Sequence, residues 1–324
     1  MPAAFSGRKV SDVTNPIKTV TIVGAGAMGA AYAAMFTDAP GFSVAFAARG
    51  ERYAHLRNRT FTVNNRLYPF RVIHPDRPDA PADLILVTLK HHHLEGALGD
   101  IAALTGPDTV ILSVMNGLES EAIIGAACGM DHLVYAVAVA IDAVHENGSY
   151  RFGQPGRIIF GPIRDDGSGP SLQRIAEALG RAGIDYELPA DIMRAMWWKF
   201  MINVGINQAS AVLRAPYRIF HTSADARELQ RSLMQEVVAL AGRAGIDLGR
   251  KDIDAWDEIL AGLNPGGKTS MLQDVEAGRR TEVEIFAGKV IALGRTYDMP
   301  TPVNATVRRI IRVIESRGAC PSAG

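Results

Sequence analysis

Three polar residues recur at a spacing of four, Lys199, Asn203 and Asn207, within the run IMRAMWWKFMINVGINQASAVL. On an α-helix this spacing keeps them on one slowly turning face, each about 6 Å further along the axis. Met196, Trp197, Trp198, Phe200, Met201, Ile202, Val204 and Ile206 surround them, and a helix apolar on nearly every side is a buried one. A lysine and two carboxamides in such surroundings lose on the order of several kcal/mol of hydration unless partnered, so the pattern predicts a polar cavity. A partly desolvated ammonium has its pKa drawn down, which suits a proton donor near neutral pH, and amides can hold hydroxyl and carboxylate groups. The alternative is a Lys199 that snorkels to solvent, with the asparagines bridging to neighbouring helices.

A second polar cluster reads Lys268-Thr269-Ser270-Met271-Leu272-Gln273-Asp274, then Arg279-Arg280-Thr281-Glu282-Val283-Glu284. Ser270 stands where a helix should start, as an N-cap or as a functional hydroxyl. Thr281 with Glu284 fits a capping box. Glu282, in the same first turn, is left with a helix-dipole role or a catalytic one.

These groups need a scaffold, and the stretch TVTIVGAGAMGAA from Thr19 to Ala31 supplies its starting point. A β-branched strand run stops at Gly24, Gly26 and Gly29, and small residues then open a helix. This G-x-G-x-x-G at a strand-to-helix junction is a dinucleotide-binding signature: a tight turn, a backbone open to the pyrophosphate and close helix packing. The helix-start N–H groups, from Gly24-Ala25-Gly26-Ala27-Met28-Gly29, would face the phosphates. A second strand, Phe42 to Ala48, ends at Arg49, where an arginine accommodates the 2′-phosphate of NADP and an acid would select NAD; a solvated charge cluster is the plain alternative. Further strands at Asp83–Lys90 and Thr109–Val114 end in Lys90 and in Met115-Asn116-Gly117, at the carboxyl ends where ligands belong. Asn116 fits a nicotinamide ribose, a substrate or an ordinary Asn-Gly turn. His91, His92 and His93 are consecutive, share no face and have no partner at ligand spacing, so no metal site is expected.

At 324 residues the chain can form two domains with real cores. Hydrophobic residues make up 48% and charged ones 21%, an ordinary globular composition. Lys+Arg and Asp+Glu balance at 34 each, which argues against a general nucleic-acid or anionic-membrane binder. Cys128 and Cys320 form neither a zinc-type pattern nor a disulfide framework, and no run is long and apolar enough for a membrane span. A cytoplasmic location is expected.

Residues 1–17 read as a flexible N-terminal extension, and 18–190 as an α/β Rossmann-like dinucleotide-binding domain whose sheet is extended by pieces at 133–141, 149–152 and 157–160. Beyond Asp191, a plausible N-cap, strand runs vanish, so 191–324 reads as an all-α substrate and catalytic domain with helices at about 223–244, 252–262, 270–277, 282–297 and 303–317.

The chain resembles the ketopantoate reductase (2-dehydropantoate 2-reductase) family. The resemblance rests on GAGAMG at 24–29, Ala48-Arg49-Gly50, Thr88-Leu89-Lys90, Met115-Asn116-Gly117-Leu118, the W-K-x-x-x-N-x-x-x-N ladder at 198–207 and TSMLQDVEAGRRTEVE at 269–284. It implies NADPH-dependent reduction of the keto group of ketopantoate to pantoate, a step toward pantothenate and coenzyme A. It further implies Lys199 as general acid, Glu282 assisting at the keto centre, and Asn203, Asn207 and Ser270 holding substrate. Lys90 and Asn116 match positions between cofactor and substrate, and Arg49 matches the 2′-phosphate contact. One departure stands out: an asparagine-glycine pair often follows the ladder in the family, whereas this chain reads LRAPYR at 213–218. That leaves open another bulky 2-keto acid, with Arg214 and Arg218 either solvated or gripping a different carboxylate. A separate alternative is a non-catalytic NADPH-binding regulator, against which the intact set Lys199, Asn203, Asn207, Ser270 and Glu282 argues. The oligomeric state is open, a homodimer included.

Overall fold

The computed structural model describes residues 15–77, 81–146, 148–163 and 169–318. Its contacts divide the chain into two compact units.

The first unit runs to Met115 and from Glu119 to Ile192. In chain order it contains β1 (Thr19–Val23), α1 (Ala27–Asp38), β2 (Ser43–Ala47), α2 (Gly50–Arg57), β3 (Phe61–Val63), β4 (Arg66–Tyr68), β5 (Arg71–Ile73), β6 (Leu84–Val87), α3 (Leu94–Leu104) and β7 (Val110–Ser113). It continues through α4 (Ser120–Cys128), β8 (Leu133–Ile141), β9 (Val144–Glu146), β10 (Ser149–Arg151), β11 (Pro155–Gly161), α5 (Gly169–Arg181) and β12 (Asp185–Glu187). Eight strands form one sheet in the order β12-β11-β8-β7-β6-β1-β2-β5, with β5, β2, β1, β6, β7 and β8 parallel and β11 antiparallel to β8. Successive side chains on a strand point to opposite faces, and the cores divide on that period. Val20, Ile22, Leu84, Leu86, Val110 and Leu112 join the core that includes Phe36 and Ile175, whereas Val23, Ile85, Val87 and Ile111 join the one that includes Ile101 and Ile124. Both faces are buried, which is why these strands read as continuous apolar runs.

Two expectations for this unit are corrected. The piece expected at 149–152 does not extend the large sheet; it is β10, which pairs with β9 and with β3 in a separate sheet of order β4-β3-β10-β9. The β3–β4 hairpin was not foreseen, although Asn64 (φ 47°) and Asn65 (φ 64°) adopt the left-handed conformation that a two-residue hairpin turn favours. Residues 15–17, expected in a flexible extension, are instead anchored: Ile17 is fully buried and the Asn15 carbonyl accepts a bond from Arg174 Nε at 2.8 Å. Residues 1–14 and Cys320 lie outside the described residues.

The second unit comprises Asn116–Leu118 and the chain from Met193 onward. A division at 190 alone therefore misses a three-residue segment that leaves the end of β7 and packs, through Leu118, on the helical core. Its helices are α6 (Ile192–Ile202), a π-helical turn at Asn203–Asn207, α7 (Gln208–Leu213), α8 (Arg218–Thr222), α9 (Ala224–Arg243), α10 (Arg250–Gly262), α11 (Ser270–Glu276), a second π-helical turn at Glu284–Gly288, α12 (Lys289–Thr296) and α13 (Pro302–Gly318). Phe200, Met201, Val204, Leu233, Phe286 and Val290 fill the core between them. No helix among the described residues is long and apolar enough to cross a membrane.

The glycine turn generates the first prediction. A Cβ on Gly29 would meet the Gly24 carbonyl oxygen and Thr88 Oγ1, whereas one on Gly26 would meet nothing within 4 Å. Gly29→Ala should lower the unfolding free energy by about 1–3 kcal/mol in urea titrations, and Gly26→Ala by no more than about 0.5 kcal/mol.

Candidate active site

The turn between β1 and α1 is built from backbone and braced by two side chains. Gly24 takes φ +122°, a conformation that L side chains rarely adopt. Thr88 Oγ1 donates to the Gly24 carbonyl at 2.7 Å, and the Tyr150 hydroxyl donates to the Ala25 carbonyl at 3.1 Å. Ala27 and Met28 open α1 after the Gly26 N-cap. The open space above Gly26 and the first N–H groups of α1 together make a cradle that fits a dinucleotide phosphate.

Arg49 stands at the N-cap of α2, held by two carboxylates: Nε donates to Asp100 Oδ1 and Nη1 to Asp76 Oδ2, each at 2.6 Å. Lys90 follows β6 and is half-buried, and His91–His93 form a short 3₁₀ turn. Among the described residues no group of three or more His, Cys, Asp or Glu could hold a metal ion.

In the second unit five of the expected residues come together in one directed hydrogen-bond chain. Ser270 Oγ donates to Asn207 Oδ1 at 3.2 Å, Asn207 Nδ2 to Asn203 Oδ1 at 3.0 Å, Asn203 Nδ2 to Asn116 Oδ1 at 3.2 Å, and Asn116 Nδ2 to Glu282 Oε2 at 2.9 Å. The carboxylate end sets the direction, because a carboxylate oxygen accepts only from the amide nitrogen, so each carboxamide must turn the same way. Asn203 and Asn207 are 4% and 5% exposed, whereas Ser270 is exposed and Asn116 and Glu282 are half-buried. The chain therefore crosses a buried interior and opens at both ends.

The Asn203–Asn207 bond lies across a π-helical turn, an irregularity that interrupts the regular backbone ladder of the helix. Gln208, fully buried, supports it: Nε2 donates to the Val204 carbonyl at 2.7 Å and to Asn304 Oδ1 at 3.0 Å, while Oε1 accepts from Ala287 N at 3.2 Å in the second π turn.

Lys199 lies one helical turn before Asn203 and has no hydrogen-bond or ion-pair partner among the described residues. Part of its surface stays accessible, yet it sits deep among protein atoms, and burial draws its pKa down from 10.5 to about 8. An ammonium of that acidity, open to an incoming group, is suited to give up a proton near neutral pH.

Two local readings change. The N-cap of α11 is Thr269, whose Oγ1 accepts from Leu272 N at 3.1 Å, so Ser270 is free to bond Asn207. The Thr281–Glu284 capping box does not form. Glu315 Oε1 instead accepts from Thr281 N and Oγ1, each at 2.7 Å, and Glu284 pairs with Arg308 at 2.9 Å. Thr88, Tyr150 and Glu315 support the site from distant sequence and Gln208 from the position next to Asn207, and no local pattern marks Tyr150, Gln208 or Glu315.

Family models match almost the whole folded chain: "Ketopantoate reductase PanE/ApbA" over residues 20–165 and its C-terminal companion over 191–315. The chain belongs to the ketopantoate reductase family. Its members are NADP-dependent oxidoreductases acting on a CH–OH group. A 2-dehydropantoate 2-reductase of Archaeoglobus fulgidus is 27% identical over 93% of this chain and 99% of its own length. Among solved structures, a dimeric ketopantoate reductase from Staphylococcus aureus has a TM-score of 0.78 at 22% identity, covering 93% of this chain and all of that one. D-mandelate dehydrogenase with NADH and anilino(oxo)acetate has a TM-score of 0.84 at 20% identity, covering 93% of this chain and all of that one. At those identities both show the shared fold.

The depressed pKa of Lys199 has a cost with a defined sign. Below about pH 8 the ammonium is charged in both the folded and unfolded states, and the penalty for burying it is fully present; it fades as pH rises through 10.5. Lys199→Met should therefore raise stability by ~2 kcal/mol at pH 7, a gain lost above about pH 10.5 in denaturant titrations.

Proposed function

We propose that this member of the ketopantoate reductase family reduces ketopantoate to pantoate with NADPH, with Lys199 as the proton donor. The observation that carries this reading is the unpartnered Lys199 ammonium, acidified to about 8, one turn ahead of the directed amide chain that ends at Glu282. NADPH, when bound, supplies the hydride. Lys199 gives its proton to the carbonyl oxygen as the carbonyl carbon is reduced, so negative charge never accumulates on that oxygen. Asn203, Asn207 and Ser270 hold the substrate's hydroxyl and carboxylate groups through donors and acceptors their own chain leaves free. Asn116 and Glu282 fix the orientation of that array, and Glu282 accepts a hydrogen bond from the nascent hydroxyl. On the nucleotide side, residues Gly24 to Gly29, Lys90, Asn116 and Arg49 would hold the cofactor. Such an enzyme belongs to a route toward pantothenate and coenzyme A in the cytoplasm, and the dimeric Staphylococcus aureus relative supports a homodimer.

A second reading is motivated by the 213–218 segment. Arg214 ends α7 in the left-handed conformation at φ 49°, and Tyr217 N and Arg218 N donate to the carbonyls of Gly267 and Pro265 at 3.0 and 2.8 Å. Where a short polar loop is usual in the family, this chain packs an aromatic ring beside Gly267. The likeness to D-mandelate dehydrogenase gives a specific alternative, an aromatic 2-keto acid.

The test follows NADPH absorbance loss with a panel of 2-keto acids for the wild type and Lys199→Gln. Ketopantoate should be the best substrate, with kcat/KM falling above about pH 8 as Lys199 deprotonates. Lys199→Gln should lower kcat roughly 10²- to 10⁴-fold with NADPH binding retained. Preference for a phenyl-substituted keto acid replaces the first reading by the second. Binding without oxidation of NADPH by any keto acid makes the chain a nucleotide-binding regulator.

A further inference from the structure

The two carboxylates on Arg49 are unlike. Asp100 belongs to α3, its side chain is 13% exposed and it binds Nε, whereas Asp76 lies on the turn after β5, is 54% exposed and binds Nη1. Beyond Arg49, Asp76 has only loose support: His74 Nδ1 at 3.8 Å, and a bond from its own backbone N–H to that same ring nitrogen at 3.3 Å. Both acids hold the Arg49 pKa up, and Arg49 in turn holds Asp76 below the ordinary carboxylate range. The two carboxylates outnumber the one guanidinium they bind, with Arg77 acting on Asp76 through space without a hydrogen bond. A 2′-phosphate approaching the outer edge of the Arg49 guanidinium meets Asp76 already on Nη1. Carboxylate and phosphate bind guanidinium in the same planar, charge-assisted way, so they exclude each other at a given pair of N–H groups.

We propose that Asp76 is a built-in competitor for the cofactor's 2′-phosphate, and that this competition for Arg49 sets how far the chain prefers NADPH over NADH. Asp76 is the partner that gives way, because it is exposed and weakly held. Asp100 is a positioning residue: it keeps Nε engaged, so the guanidinium stays oriented when Nη1 changes partner. NADH has no 2′-phosphate, does not need the exchange and leaves the Arg49–Asp76 pair intact. The inference rests on the reading of Arg49 as the 2′-phosphate residue, and the test separates the two.

Dissociation constants for NADPH and NADH are measured by calorimetry, without keto acid, for the wild type, Asp76→Asn, Asp100→Asn, Arg49→Ala and the Arg49→Ala/Asp76→Asn double variant. Asp76→Asn should tighten NADPH about three- to tenfold and leave NADH within about twofold, as expected for loss of one exposed competing ion pair and its repulsion. In the Arg49→Ala background the same change should tighten NADPH by less than about twofold, since only the screened repulsion remains to be relieved. Asp100→Asn should loosen NADPH about two- to fivefold. An Asp76→Asn variant that leaves NADPH within twofold, or shifts both cofactors equally, overturns the competition. Tightening by Asp100→Asn overturns its positioning role. If Arg49→Ala leaves NADPH binding unchanged, the Arg49 reading itself falls; if it weakens NADPH while Asp76→Asn is silent, only the competition falls.

Discussion

An ammonium group without a counter-ion, set deep in a helical unit, is the constraint around which the second unit is arranged. Lys199 could be neutralised by a nearby carboxylate, and the chain has many; none pairs with it among the described residues. The acid of the polar array, Glu282, accepts from Asn116. An ion pair would hold the lysine pKa high, whereas burial without one draws it down toward neutrality. The penalty is borne by the surrounding core, in which Phe200, Met201, Val204 and Phe286 are almost fully buried.

The amides beside that lysine solve a related problem. Buried carboxamides are costly unless satisfied, and a row of them can be satisfied in either of two directions. Ending the row on a carboxylate removes one direction, so Asn116, Asn203 and Asn207 share a single orientation, and such chains polarise cooperatively. The backbone between Asn203 and Asn207 departs from the α-helix into a wider π turn. Gln208, bonded to both π-helical turns, keeps that irregular backbone from leaving its polar groups unpaired.

The first unit meets a simpler requirement. Alternation along β1, β6 and β7 fills two cores at once and makes the sheet a rigid support. The turn after β1 is then tightened from outside by Thr88 and Tyr150, whose hydroxyls bond the carbonyls of Gly24 and Ala25 and leave the N–H side of the helix start for a ligand. Arg49, on the same unit, reaches its place with its charge already more than balanced by Asp76 and Asp100.

Features that depend on spacing within one element were determined by the sequence alone. Continuous apolar, β-branched runs gave the strands of the parallel sheet, Gly24, Gly26 and Gly29 gave the turn, and the four-residue recurrence of Lys199, Asn203 and Asn207 gave a polar face on an apolar helix. Tertiary structure decided whatever depends on which distant element arrives beside which. The short Val144–Arg151 hairpin pairs with β3 instead of lengthening the large sheet, because a three-residue strand carries too little pattern to specify its partner. Asn116 joins helices far along the chain, Thr269 takes the cap expected of Ser270, and Glu315 takes the Thr281 that a capping box would have used. Hydrogen bonds and ion pairs reach only a few ångströms and take no account of sequence separation, so their partners became known only when the chain had folded.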